Sequence, residues 1–418
     1  MDLFRKKQIN TQQSSHLSKT LKLKDLILLG IGAVIGTGIF VVPGQAAANL
    51  AGPGLTLSFV LAAFIVILTG FSFAEFASRI PVIGGAYSYM YVVFGEFIAW
   101  LTGWFLLCEY MLAVASVASG WSAYFQGFLS YLHLQLPQAL TAGLNLEKGT
   151  YFDLIAGLVV IFVVFWVLQE AKKALALNNF MVWIKFGIIA LFIVVGVFFV
   201  KPSNWQPYLP FGAEGVIDGA ALVFFAFLGF DAIAMAAEEV VEPQKTVPRG
   251  MIGAIAISTV LYIIVTAILT GLVPYTKLGV NDPVAFAMRF LHLDLVGSII
   301  SIGAILTLLT VTISMMYSLA RLVYAISKDG LLPISLNKVD TKTHTPVRAT
   351  LVSGAVVFVF ATMFPLQILA ELTNIVALGY LIMMALGIIR LRQVAGDPKP
   401  GEFKVPFVCG AKDLGEAL

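Results

Sequence analysis

Long apolar stretches alternate with short polar segments along most of the chain. A helix that crosses a bilayer needs about 20 mostly apolar residues, and we identify ten stretches of this kind. They are predicted near residues 26–48, 54–77, 85–119, 151–170, 178–200, 215–238, 250–273, 296–325, 347–365 and 367–390. The pattern therefore predicts an all-α integral membrane protein with ten transmembrane helices.

Composition excludes several other classes of protein. Hydrophobic residues make up 59% of the 418 positions and charged residues only 12%, whereas soluble domains carry about 25% charged residues. A soluble enzyme, a disordered chain and a nucleic-acid-binding module are therefore excluded. The four histidines have no metal-ligand spacing, and no Walker A loop or Ser-His-Asp set is found. We expect no metal, no cofactor, no nucleic-acid partner and no enzymatic activity.

The basic residues indicate how the spans are oriented, because lysine and arginine accumulate in cytoplasmic loops. With the N-terminus inside, all but five of the 26 lysines and arginines fall in segments predicted to be cytoplasmic. The five exceptions are Lys148, Lys201, Lys277 and Arg289 on the outer side and Lys185 within a span. We therefore expect residues 1–24 and 394–418 to be cytoplasmic tails of a multi-pass membrane protein.

The first span is unusually rich in glycine, with the sequence GIGAVIGTGIFVVPG at residues 30–44. One explanation is close helix packing, because Gly32 and Gly36 form a GxxxG pair. The other is an interruption of the helix near residues 36–38. Unwinding there leaves amide N–H groups free at mid-membrane, where they must face protein or a wet cavity. Such groups are suited to binding a carboxylate.

The sixth span, FFAFLGFDAIAMAAEE, also has a glycine at its centre, Gly229, and Asp231 follows it. Spans one and six are five helices apart, and glycine-interrupted segments in corresponding positions of two halves indicate an inverted-repeat transporter. The first repeat would cover residues 25–200 and the second residues 211–393. The binding site is then expected at the midplane, between the two breaks.

Several motifs together resemble the bacterial amino-acid permeases of the APC superfamily, in its cationic-amino-acid-transporter branch. They are GIGAVIGTGIF, FAEFASRIPVIGGAYSYMYVVFGEFIAWLTGW, LCEY, NNFMVWIKFGII, FFAFLGFDAIAMAAEE and ISKDGLLP, in family order over roughly residues 20–393. The resemblance implies a LeuT-type fold of five plus five inverted helices, with helices one and six interrupted. The family has twelve spans, and the last two are expected to have no counterpart among the ten predicted here.

The resemblance also implies how an amino acid is bound. Its carboxylate is expected on amides of the first break, assisted by a threonine hydroxyl, and its ammonium on carbonyls of the second break. The carboxylate site would comprise Gly36, Thr37 and Gly38, and the ammonium site Phe225, Ala226 and Leu228. Ordinary packing is the competing explanation for the three apolar residues of the second set.

Two side chains near the second break have implied roles and competing explanations. Phe225 lies where the family often has an aromatic lid over the substrate, although most of the 32 phenylalanines must simply face lipid or core. Asp231 lies where this branch has an acid near the substrate. It would meet a cationic side chain or help to close the inner gate, and the competing explanation is an acid that only reaches water at the helix end.

Lys185 is the only basic residue well inside a span, about 10 Å deep at the helical rise per residue. Either it reaches an interface or pairs with a buried acid, or it gains and loses a proton during transport, which arginine cannot do. By resemblance it occupies the place where sodium-coupled relatives hold sodium. Glu109 in span three is a second intramembrane acid and needs a partner or a proton. The other acids near span ends, Glu75, Glu238, Glu239 and Glu371, are expected to be interfacial.

We therefore predict a proton-coupled secondary transporter for small neutral or cationic amino acids, working by alternating access in the bacterial cytoplasmic membrane. Lys185 and Glu109 would carry the coupling proton. The alternative is a transport-inactive membrane protein that binds amino acid or serves an assembly role. The sequence leaves open the preferred amino acid, symport versus exchange, and whether the chain forms an oligomer or binds a small membrane subunit.

Overall fold

The structure is a computed structural model that describes residues 21–80, 85–169, 171–235, 240–340, 345–399 and 402–406. These residues are mostly helical, and no β-strand occurs among them. The α-helices are α1 Leu23–Val34, α2 Thr37–Phe40, α3 Val42–Ala46, α4 Leu55–Arg79, α5 Gly85–Val93, α6 Glu96–Tyr131, α7 Leu154–Gln169, α8 Ala171–Gly196, α9 Gly212–Val223, α10 Ala232–Met235, α11 Pro243–Leu272, α12 Pro283–Phe290, α13 Asp294–Lys328, α14 Val347–Met363 and α15 Leu366–Ala395.

Seven helical stretches within the described residues are long and apolar enough to cross a membrane. The hydrocarbon core offers no water to backbone N–H and C=O groups, so a chain this apolar satisfies them within helices. The predicted all-α membrane architecture is therefore confirmed. The count of ten spans remains a prediction, because the apolar helices α7 and α14 have only 16 and 17 residues.

The predicted third span, residues 85–119, is divided in the structure. The short helix α5 ends at Val93, and Gly95 then adopts a φ of 103°, a conformation that glycine populates readily and other residues rarely. The long helix α6 follows and continues to Tyr131, well beyond the predicted end. Hydropathy averaged over a span missed this turn, because apart from Glu96 the residues around Gly95 are mostly apolar.

The long helix α6 forms the centre of the fold, where it packs along α13, α15 and α14. A second group forms around α4, which packs against α11 and α9. The first helix, α1, lies against α11 and also contacts α8. This arrangement buries the glycine-rich first span on several sides, as unwound backbone in a membrane requires.

Buried charges join the end of α4 to the end of α15. The Arg392 guanidinium donates to the Glu75 carboxylate at 2.7 Å and 3.1 Å, and both side chains are fully buried. The backbone N–H of Val405 donates to the same carboxylate at 2.8 Å, and Arg79 lies 3.3 Å from it. The expectation that Glu75 is interfacial was therefore wrong, because residues distant in sequence fold over it.

Some expectations lie partly outside the described residues. Glu238, Glu239 and most of the predicted cytoplasmic tails fall there, while Glu371 is exposed on α15. The division into repeats at residues 25–200 and 211–393 stays a prediction.

Candidate functional site

The first span is interrupted where its glycines predict. Helix α1 ends at Val34 and α2 begins at Thr37, with Ile35 and Gly36 in non-helical backbone between them. Amides that begin a helical segment have no acceptor within it. The Thr37 side chain is only 2% exposed, and its Oγ1 has no hydrogen-bond partner among the described residues. A ligand oxygen beside Thr37 would satisfy this hydroxyl, whose burial alone is costly.

The sixth span is also interrupted. A tighter 3₁₀ turn, Phe224–Phe227, follows α9, and Leu228 is then extended, with φ −60° and ψ 144°. Gly229 has a φ of 101°, in the region that favours glycine. A Cβ atom at Gly229 would lie 3.1 Å from the Ala33 carbonyl oxygen. Glycine therefore allows both the turn and the close approach of the sixth span to α1.

The two breaks are in contact with each other. A Cβ atom at Gly38 would fall 2.3 Å from the Ala226 Cα, so only glycine allows this approach. The Tyr262 hydroxyl on α11 lies at the same junction, 3.0 Å from the Val34 carbonyl oxygen and 2.7 Å from that of Ala226. A tyrosine has one hydroxyl hydrogen, and Tyr262 shares it between two carbonyls that the interruptions leave without helical partners.

Sequence reasoning did not single out Tyr262. It is one of 13 tyrosines and lies within an apolar run, where nothing in the pattern distinguishes it from a core residue. Its full burial together with its two carbonyl contacts becomes visible only when three spans are brought together.

Two of the three carbonyls predicted to bind the ammonium already accept one hydrogen bond each. The Phe225 carbonyl accepts the Leu228 N–H at 3.2 Å, and the Ala226 carbonyl accepts from Tyr262. Each oxygen has two lone pairs, so each keeps capacity for a second donor. The side chains of Phe225, Ala226 and Leu228 are buried, and the contact of Ala226 with Gly38 brings this turn to the first break.

Lys185 is buried inside the fold, with 1% of the residue exposed. Its Nζ donates to the Gly32 carbonyl oxygen at 2.6 Å, one helical turn before the first break. The lysine therefore joins α8 to α1, which excludes the explanation that it only reaches an interface. An ammonium has three N–H donors, and Gly32 takes one of them.

The two predicted acids lie in a buried group with tyrosines. The Tyr380 hydroxyl on α15 lies 3.5 Å from Glu109 Oε1, while Glu109 Oε2 has no partner among the described residues. The Tyr110 hydroxyl donates to Asp231 Oδ2 at 3.3 Å. Both acids are 3% exposed. Within the described part of the chain, neither forms an ion pair with Lys185.

The arrangement is suited to a zwitterion. The first break offers amide and hydroxyl donors, the second offers carbonyl acceptors, and the two lie against each other. No group of three metal-ligating side chains occurs in the part of the chain that the structure describes. The donors of the first break and the acceptors of the second are the groups that a carboxylate and an ammonium require.

Comparisons with known proteins match this chain to permeases and transporters. The family model described as "Amino acid permease" matches residues 21–410. A methylthioribose transporter of Bacillus subtilis (strain 168) is 46% identical over 410 residues, covering 97% of this chain and 89% of the relative. The branched-chain amino acid permease BcaP of the same organism is 44% identical over 414 residues, with the same coverage. Human cationic amino acid transporter 4 is 33% identical over 394 residues, 93% of this chain and 62% of the relative.

Proposed function

The chain belongs to the amino acid permease family, and from this membership we propose that it takes up amino acids across a bacterial cytoplasmic membrane in symport with protons. It is a multi-pass membrane protein that transports amino acids and is not an enzyme. The proposal concerns the coupling ion, the binding residues and the membrane. The binding residues are supported mainly by the contact of the two interrupted helices beside Thr37, whose hydroxyl has no partner among the described residues.

The carboxylate of the substrate is assigned to the first break. Free amides around residues 36–38 supply N–H donors whose direction is fixed by the backbone, and Thr37 Oγ1 adds a hydroxyl donor. Thr37 Oγ1 is buried and has no hydrogen-bond partner among the described residues. A carboxylate oxygen can therefore bind it without displacing a protein group. The interaction needs no basic side chain, which suits a substrate that is neutral overall.

The ammonium of the substrate is assigned to the second break. The carbonyls of Phe225, Ala226 and Leu228 belong to backbone that has left the α-helical pattern. They therefore do not accept the regular α-helical hydrogen bonds and can accept from a ligand. Phe225 would cover the bound amino acid with its ring. Asp231 lies further along the same segment and would face a cationic side chain, or would help to close the cytoplasmic gate when the side chain is neutral.

Proton coupling is assigned to Lys185, with Glu109 as a second carrier. A charged lysine binds the Gly32 carbonyl more strongly than a neutral one, because charge-assisted hydrogen bonds are about twice as strong as neutral ones. Loss of the proton would weaken the connection between α8 and α1 and free the first break to move. Glu109, with one oxygen unpartnered among the described residues, has room for a proton of its own.

Alternating access follows from these elements. The flexible positions are the breaks themselves, around Gly36 and Gly229, and α1 with the sixth span would move as a pair because Gly229 packs on Ala33 of α1. The orientation with both termini in the cytoplasm is part of the proposal, since it rests on the basic residues of the loops.

The names of the relatives suggest which class of substrate this chain transports. One relative is named for branched-chain amino acids, one for cationic amino acids and one for methylthioribose. We propose small neutral or cationic amino acids, because the breaks recognise the two groups that every amino acid shares. A transport-inactive binding protein is not favoured, since both breaks and the buried lysine are intact.

The test is counterflow in proteoliposomes, which needs no ion gradient. Separate sets of vesicles loaded with unlabelled alanine, leucine, arginine or methylthioribose are each diluted into a trace of the same compound in labelled form. The proposal expects exchange driven by one or more of the amino acids. Thr37→Ala should raise the KM for that amino acid about tenfold through loss of a bond to a charged group, while Thr37→Ser should stay near wild type. Exchange only with methylthioribose, or equal behaviour of the two variants, would contradict it.

A further inference from the structure

The side chain of Asn374 connects α15 to the end of α9. Its Nδ2 donates to the Ala221 carbonyl oxygen at 2.7 Å and to that of Leu222 at 3.1 Å. Asn374 is 5% exposed and lies within a span that the composition makes strongly apolar. A buried amide in such a span requires an explanation, because polar groups in a membrane are costly unless they are bonded.

Part of the explanation is the interruption of the sixth span. The last carbonyls of a helix have no N–H partner within it, and α9 gives way to the 3₁₀ turn Phe224–Phe227 just after Leu222. The Leu222 carbonyl also accepts from the Phe224 N–H, and Asn374 adds a side-chain donor to it and to the Ala221 carbonyl. Since carbonyls only accept, the two contacts also fix which end of the side chain carries nitrogen.

The other end of the same side chain is unaccounted for. Asn374 Oδ1 is buried and has no hydrogen-bond partner among the described residues. A buried amide oxygen without a donor costs free energy, and this one is held in place by two bonds on the opposite side of the group. The arrangement therefore presents a fixed acceptor for a donor that arrives from elsewhere.

The donor that every amino acid carries is its α-ammonium, with three N–H bonds. The neighbouring backbone acceptors at Phe225 and Ala226 each already hold one donor, whereas Asn374 Oδ1 holds none. The helix α15 packs against both α9 and the 3₁₀ turn, so Asn374 lies beside the segment to which the ammonium is assigned.

We propose that Asn374 is a substrate-binding residue, whose Oδ1 accepts a hydrogen bond from the α-ammonium while its Nδ2 holds the end of α9 in place. This inference rests on the proposed function and adds α15 to the elements that contact the substrate. Substrate binding would then also strengthen the packing of two helices, because the Asn374 amide would connect the ammonium, α15 and α9.

The test separates the acceptor from the structural cap by pairing a variant with a modified substrate. Uptake of alanine and of N-methylalanine, which has one ammonium hydrogen fewer, is measured in wild type, Asn374→Ala and Asn374→Asp. The matched control is Thr373→Val on the same helix, whose buried hydroxyl bonds only the Leu369 carbonyl of α15 at 2.6 Å. Melting temperature in detergent is recorded for every variant.

We expect Asn374→Ala to raise the KM for alanine about tenfold or more and to reduce the preference for alanine over N-methylalanine, because the lost acceptor no longer distinguishes them. Asn374→Asp keeps an acceptor oxygen and should keep most of that preference. Thr373→Val should leave both unchanged.

An unchanged preference in Asn374→Ala, with only a lower maximal rate and melting temperature, would overturn the inference and leave Asn374 as a helix cap. That result would leave the proposed function standing, since wild type still transports. A wild type that neither binds nor transports any amino acid would instead overturn the proposed function and this inference with it.

Discussion

The Nζ of Lys185 lies 2.6 Å from the carbonyl oxygen of Gly32, and this contact joins the fifth predicted span to the first span just before its break. Gly32 belongs to α1, whose last helical residue is Val34. Because the ammonium binds α1 just before the break, the protonation state of Lys185 is expected to affect the conformation of the break. In the proposed mechanism the lysine acts on the first break, to which the carboxylate is assigned, through its bond to Gly32.

Replacement of Lys185 should separate its charge from its ability to lose a proton. Lys185→Ala removes the bond to Gly32, and we expect it to abolish uptake driven by a pH gradient. Lys185→Arg keeps a permanent charge, so it should bind substrate but should not support gradient-driven accumulation. Binding is measured by thermal shift with alanine, and uptake in proteoliposomes. Accumulation in Lys185→Ala that still follows the pH gradient would refute a carrier role for this residue.

Loss of the Tyr262 hydroxyl should weaken the junction of the two breaks. Tyr262→Phe leaves the Val34 and Ala226 carbonyls without their donor, and we expect a loss of about 1–3 kcal/mol of stability together with slower transport. Ser258→Ala, one turn away on α11, is the control, because its buried hydroxyl has no partner among the described residues. The variants are compared by melting temperature and initial uptake rate. Equal melting temperatures for the two would contradict the bridging role.

A methyl group at Gly38 should separate the breaks. Gly38→Ala would place Cβ 2.3 Å from the Ala226 Cα. The backbone must move to relieve this clash, and we therefore expect transport to fall to background. Gly187→Ala on α8 adds the same methyl group where nothing lies within 4 Å, and alanine favours helix over glycine. Normal uptake by Gly38→Ala, with a protein as stable as Gly187→Ala, would show that the close approach is dispensable.

The buried carboxylate of Glu75 should contribute to stability far more than an exposed acid. Glu75→Gln leaves the Arg392 guanidinium buried beside a neutral amide, and breaking a buried pair costs about 3–5 kcal/mol. Glu371→Gln removes an exposed carboxylate that only accepts from Gln367 at 2.9 Å and should change little. Size-exclusion profiles after a temperature series measure both. Similar thermal tolerance of the two variants would argue against a structural role for the Glu75–Arg392 pair.

The sequence predicted the helical class, most span positions and both interruptions, because each depends on local features. Apolar runs of about 20 residues define spans, and the glycines at 36 and 229 mark where backbone leaves the helix. The same local reasoning extended the third span through Gly95, since hydropathy averaged over about 20 residues does not register a short turn, even one followed by the acidic Glu96.

What the sequence could not predict depends on contacts between distant residues. Glu75 was interpreted as interfacial because its position along α4 is near an end, and only the fold brings Arg392 and Val405 over it. Tyr262 and Asn374 were not singled out for the same reason. Each is an ordinary polar residue in an apolar run until α11 or α15 is placed against the carbonyls of a broken helix.

The most direct test of the central claim is uptake of labelled alanine by wild-type proteoliposomes under an imposed inward proton gradient, with and without a protonophore. A parallel set of vesicles receives an inward sodium gradient at equal pH. The account predicts accumulation above equilibrium with the proton gradient, its loss with the protonophore, and only equilibration with sodium. Accumulation driven by sodium, or equilibration that ignores the pH gradient, would contradict proton-coupled amino-acid transport.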